Sequence, residues 1–137
     1  MHLLVCTDNT PLSDAALAFG TRLAQALQAT VTVLVAPERP RHGPELASAL
    51  VDVCAQMTEA GLDCDIVTHP EFLRRAVVAQ TASTVYDLVI IGLVERGWLR
   101  RWLRGPSTRR ILRDVAAPAL IVPSDRQAIR NILLCSG

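Results

Sequence analysis

Lysine is absent: all 14 basic side chains of this 137-residue chain are arginines. That excludes a phosphate-loop lysine, a Schiff-base lysine and a Ser-Lys dyad. Aromatic residues are scarce at 4%, while half of all residues are hydrophobic, mostly Ala, Leu and Val. This composition suits a packed α/β domain and not a disordered chain. Net charge is also nearly missing, at +1, so no overall field argues for nucleic acid as a partner. No apolar run is long enough to span a membrane. The chain enters a strand at once, without a signal-peptide layout. No two of the four cysteines form a CxxC pair, and His2, His42 and His69 have no ligand spacing among themselves or with the cysteines. No metal site is expected. Cys6, Cys54, Cys64 and Cys135 read as reduced thiols of a cytoplasmic protein.

What is present is a regular alternation. Leu3–Thr7 is a short apolar run closed by Asp8-Asn9-Thr10-Pro11, and Thr10-Pro11 is a hydroxyl N-cap followed by a first-turn proline. The helix that follows is expected to reach about Gln28, with Ala16, Phe19, Leu23 and Leu27 on one face. Thr30–Ala36 is a β-branched strand, and Pro37–Pro44 a polar loop. Glu45–Ala60 has Leu46, Leu50, Val53 and Met57 on one side and Gly61 as its stop. Leu62–Thr68 is a weaker strand, interrupted by Asp63 and Asp65, and its alternation predicts an edge position with one wet face. Phe72–Thr84 is a third helix. Asp87–Ile91 is a buried strand ending at Gly92, and a basic loop then leads to a helix opening at Gly105-Pro106-Ser107. That helix stops before Pro118, and a last apolar strand ends at Val122.

Five strands alternating with four helices imply an α/β fold: an open parallel sheet with helices on both faces and right-handed crossovers. Ligands of such sheets bind beyond the carboxyl ends of the strands, where the winding direction reverses. With the first strand central, Asp8 and Gly92 occupy the two sides of that crevice. Strand, glycine, loop and helix N-terminus from Tyr86 to Ser107 form an arrangement that can offer backbone N–H groups to a phosphate.

LLVCTDNTPLSDAAL, DLVIIG and RRILRDVAAPALIVP resemble the first strand with its acidic turn and helix, the fourth strand, and the last helix and strand of the universal stress protein family. The resemblance implies the Rossmann-like, adenine nucleotide alpha hydrolase-like sheet with strand order 3-2-1-4-5. Nucleotide-binding members place an Asp on the ribose and wrap the phosphates of ATP in a Gly-x-x-Gly-x9-Gly-Ser/Thr motif. Here Asp8, Gly92 and Gly105 match, with Ser107 one place late. The middle glycine falls on Glu95 and the hydroxyl residue on Pro106. Glu95 adds a carboxylate where a polyphosphate would lie, and Pro106 removes an N–H at the helix start. One lost charge-assisted hydrogen bond is worth about 1.5–3 kcal/mol. The resemblance therefore implies a degenerate nucleotide or anion site at Asp8, Gly92, Gly105 and Ser107, with ATP disfavoured as a cofactor. Asp8 reads equally well as a turn residue and Ser107 as a helix cap.

The run RGWLRRWLRG spaces Trp98 from Trp102 and Leu99 from Leu103 at i,i+4 among four arginines. A basic amphipathic segment suits an anionic membrane surface, a partner groove or a single strand of nucleic acid. The simpler reading is a family loop whose tryptophans cover the sheet end, with neither membrane nor nucleic acid as partner. No Ser/His/Asp arrangement can be placed, and Cys6 reads as core. The function expected is a non-catalytic stress-response or signalling module. It would act through homodimerisation by the edge strands or through a protein partner, with weak or absent ATP binding. The alternative is an ATP-dependent switch with slow hydrolysis. Finally, NILLCSG at 131–137 repeats the character of HLLVCTD at 2–8. Residues 1–123 are thus expected to form the universal stress protein-like domain. Residues 124–137 are expected to form a linker and an extra C-terminal strand resembling the start of a second repeat.

Overall fold

The structure is a computed structural model that describes residues 1–7, 14–36, 50–51, 53–55, 57–70, 73–93 and 114–123. In chain order these form β1 (His2–Thr7), α1 (Asp14–Leu27) and β2 (Thr30–Val35). Helical residues between 50 and 59 form α2. β3 (Cys64–Thr68), α3 (Leu73–Ser83), β4 (Leu88–Leu93) and β5 (Ala119–Pro123) complete the set. The strands make one parallel sheet of order β3-β2-β1-β4-β5, as expected. Gly105–Arg113, where the last helix was expected, and the tail after Pro123 lie outside the described residues.

Strand side chains alternate between two cores because a pleated backbone turns successive residues to opposite faces. Leu3 and Val5 of β1 join Val31, Val33, Val35 and Ile90 under α1 and α2. Leu4 and Cys6 join Leu34, Val89 and Ile91 under Ala76 and Val77 of α3. A strand buried on both faces is mostly apolar, as β1 is from Leu3 to Cys6, and the one buried threonine inside β2, Thr32, has His2 Nε2 as its partner at 2.8 Å. β3 differs: among the described residues β2 alone pairs with it, and none of its residues is fully buried.

Two helices end in the same device. The N–H of Leu62 donates to Met57 O at 2.9 Å and that of Gly61 to Thr58 O at 2.9 Å, with Gly61 at φ +79°. This is a Schellman cap, and buried Leu62 meets buried Met57 across it. At the end of α1, the N–H of Ala29 donates to Ala24 O at 2.9 Å, and Gln28 holds the left-handed position at φ 50°. Glycine fills this position without strain, whereas glutamine must keep its Cβ there.

Two expectations are corrected. Leu27 has the right angular position for the buried face of α1 but is 46% exposed. The end of α1 lies beside an open cavity of about 410 Å³ lined by Gln25, Gln28, Thr30, Gly61 and Asp63 among others. The cysteines are not all reduced: Cys54 and Cys64 are joined by a disulfide, with Cα atoms 5.8 Å apart. Cys54 lies on the inward side of α2, and the cap at Gly61 reverses the chain so that the first residue of β3 comes back beside it. A separation of ten residues has no motif signature, because the contact is made by the turn.

Candidate functional site

The winding direction reverses between β1 and β4. α1 and α2 cover one face of the sheet and α3 the other. The described pairing of β1 with β4 runs from Leu3↔Leu88 to Cys6↔Ile91. On either side the ladders go further: β1 stays with β2 to Thr7↔Val35, and β4 stays with β5 to Leu93↔Pro123. A notch therefore opens at the carboxyl ends of the two central strands, between Thr7 and Gly92. Gly92 does not end β4, as expected from the sequence, but lies inside it, paired with Val122 and one residue past the last β1–β4 pair. At Gly92, β4 is thus still paired to β5 while its other edge faces the notch.

On the opposite side, Thr7 is 2% exposed and its carbonyl accepts the N–H of Ala36 at 3.1 Å. The rim of the notch is accordingly fixed by main-chain bonds on both flanks before any ligand arrives, which lowers the ordering cost of binding. Of the four residues expected at this site, Gly92 alone is described. Asp8, Gly105 and Ser107 lie outside the described residues, as do Glu95, Pro106 and the arginines from Arg96 to Arg113.

Cys6, one residue from the notch, is core. It is 1% exposed, and burial alone pushes its thiol far above the ordinary range, so it stays protonated and unreactive.

A polar cluster that composition did not single out sits at the other end of the sheet. The backbone N–H of His2 donates to Asp87 Oδ2 at 2.7 Å, and the N–H of Asp87 donates back to His2 O at 2.9 Å. His2 Nε2 pairs with Thr32 Oγ1 at 2.8 Å, and its ring centroid lies 4.5 Å from that of Tyr86. Gln80 Nε2 donates to the Tyr86 hydroxyl at 2.8 Å. These contacts tie β1, β2, α3 and the start of β4 together at their amino ends. They pair the polar atoms of buried Thr32 and Tyr86 at a partly exposed corner and contribute nothing to the notch.

A twisted parallel sheet wound in both directions, open at its reversal point, defines a doubly wound α/β protein of the Rossmann-like class. The Universal stress protein family model matches residues 1–123. The chain belongs to that family. No curated protein matches it. Among solved structures, a universal stress protein in complex with cAMP has a TM-score of 0.66 at 20% identity, over 91% of this chain and 98% of that one. A universal stress protein family member from Arabidopsis thaliana with AMP bound has a TM-score of 0.62 at 9% identity, over 90% of this chain and 91% of that one. A putative universal stress protein from Pseudomonas aeruginosa has a TM-score of 0.65 at 21% identity. That match covers 88% of this chain but 42% of the other. At these identities the likeness defines the fold. No helix among the described residues is long and apolar enough to cross a membrane.

Proposed function

We propose that this chain is a non-catalytic stress-response or signalling module whose nucleotide site has been weakened, and that it acts through homodimerisation or a protein partner in the cytoplasm. One observation carries the reading. Gly92, beside the notch, matches the first glycine of the family's phosphate motif in sequence, and Gly105 the last, yet the middle glycine falls on Glu95 and the hydroxyl residue on Pro106. The notch supplies a place for a nucleotide, and the loop that should close over the phosphates supplies a carboxylate and a missing N–H. Binding of cAMP and AMP by two of the structural neighbours supports the second reading, a nucleotide-dependent switch with slow hydrolysis. In that case Asp8 would hold the ribose, while Gly105, Ser107 and the arginines would hold phosphate.

Calorimetric titration with Mg-ATP decides between them. The expected dissociation constant is weaker than about 100 μM, or a binding free energy of roughly −5.5 kcal/mol at best. A low-micromolar constant overturns the proposal in favour of the switch. Residues 124–137 are proposed to be a linker and a strand akin to β1. The Pseudomonas aeruginosa neighbour, of which the matched part is 42%, supports a two-repeat relationship within the family.

A further inference from the structure

The disulfide between Cys54 and Cys64 belongs to no part of the nucleotide reading. It lies on the outer half of the sheet, where β3 is held by a single neighbour among the described residues. Cys54 is buried at 9% exposure on the inner side of α2, packed with Leu50 and Met57. Cys64 is half-buried and is the first residue of β3, opposite Val31. The bond thus pins the edge strand at the point where its pairing begins. Without it, β3 keeps only its ladder to β2 and a set of half-buried side chains. Such a segment is the part of a fold that opens first.

We propose that Cys54 and Cys64 are a reversible redox pair, oxidised to a clamp that fixes β3 against α2 and reduced to release it. The difference in exposure sets the order of events. A dithiol reductant attacks Sγ of Cys64 as its thiolate, and a mixed disulfide forms there while Cys54 leaves as the thiolate. The reductant's second thiol then displaces Cys64, so one dithiol becomes a cyclic disulfide and the protein gains two thiols. In the other direction, the thiolate of Cys64 attacks the terminal oxygen of a hydroperoxide, the O–O bond breaks, a sulfenic acid forms, and the other oxygen leaves as hydroxide or alkoxide. The thiolate of Cys54 then attacks that sulfur and expels hydroxide. Cys6 takes no part, because it is buried in the core on the other face of the sheet. Asp63 and Asp65 flank Cys64 and are exposed, so a reductant bearing its own carboxylates is repelled and an uncharged dithiol is preferred.

The sequence provides a clean readout. Cleavage after arginine yields the segment His42–Arg74, which contains Cys54 and Cys64 and neither of the other cysteines. Native, untreated protein should show no alkyl adduct on this segment. Dithiothreitol without denaturant should convert it to two adducts, and hydrogen peroxide should return it to none. In parallel, hydrogen exchange at residues 64–68 should be at least about ten-fold faster in the reduced protein, with exchange in β1 unchanged. Cys64→Ser should exchange like the reduced protein and ignore peroxide. If that variant does not fold, the wild-type comparison carries the test alone. Two adducts that persist after peroxide would overturn the pair. No adduct until the protein is unfolded would show a permanent cross-link and overturn reversibility. Reversible chemistry with equal exchange in β3 would overturn the clamp.

Discussion

Gly20 decides how closely α1 lies on β1. A Cβ there would stand 2.6 Å from Val5 Cγ2 and 3.4 Å from Cγ1. Val5 is fully buried and β-branched, so its methyl groups have no alternative place to go. Gly20→Ala should therefore destabilise the fold by about 1–3 kcal/mol despite alanine's better helix propensity, read as a lower denaturant midpoint at unchanged slope. A more stable variant would mean that α1 can shift outward freely. Cys6 gives a pH-dependent counterpart. Its folded pKa is raised by desolvation above the ordinary thiol value of 9.0, so above pH 9 the unfolded chain loses a proton that the folded chain keeps. Stability contributed by this group is complete below pH 9 and falls as pH rises, by at most about 1.4 kcal/mol per pH unit. Denaturant titrations from pH 8 to 10 should show this slope in the wild type and a smaller one in Cys6→Ala. Equal slopes would mean that the thiol titrates in the folded protein.

At the scale of elements, the two helix caps invite a direct comparison. Gln28 and Gly61 perform the same left-handed turn with different side chains. Gln28→Gly should stabilise by roughly 0.5–1 kcal/mol, and Gly61→Ala should destabilise by about 1 kcal/mol, both read from thermal or denaturant melting. The reverse signs would show that the caps are shaped by tertiary contacts and not by local strain. The same elements show why some of the fold was legible in the sequence. β1 announces itself by its apolar run and β2 by its β-branched run, both suited to strands covered on two faces. β3 does so because Asp63 and Asp65 leave one face wet, as an edge allows. Gly61 marked the end of α2 because a positive φ calls for glycine, whereas Gln28 gave no comparable sign. Leu27 misled because helical periodicity reports angle and not whether a neighbour reaches that turn. The disulfide stayed hidden because it depends on a chain reversal. At the candidate site, the strand end at Gly92 could be placed to within a residue. What escaped was that β4 continues through it, since pairing with β5 is a contact between strands far apart in sequence.

At the scale of the whole molecule, the sheet formed by the described residues has two edges, β3 and β5, and a notch between β1 and β4. The strand-like run Ile132–Cys135, outside the described residues, has Ile-Leu-Leu side chains that are costly to leave in water. It is expected to add to the β5 edge across a two-fold dimer. Deleting the chain after Arg126 should then loosen the dimer in sedimentation measurements; an unchanged association state would show that the tail is not part of the contact. The notch at Thr7 and Gly92 is the feature on which the proposed function turns, because that proposal sets the sequence departures at Glu95 and Pro106 against an open strand end. Calorimetric titration of Mg-ATP into the wild type and into Glu95→Gly/Pro106→Ser, side by side, measures that alteration directly. Restoring one charge-assisted hydrogen bond and removing a repulsive carboxylate should tighten binding at least about ten-fold, from a wild-type constant weaker than about 100 μM. A wild type that already binds at low micromolar concentration, or a double variant that binds no better, would contradict the account.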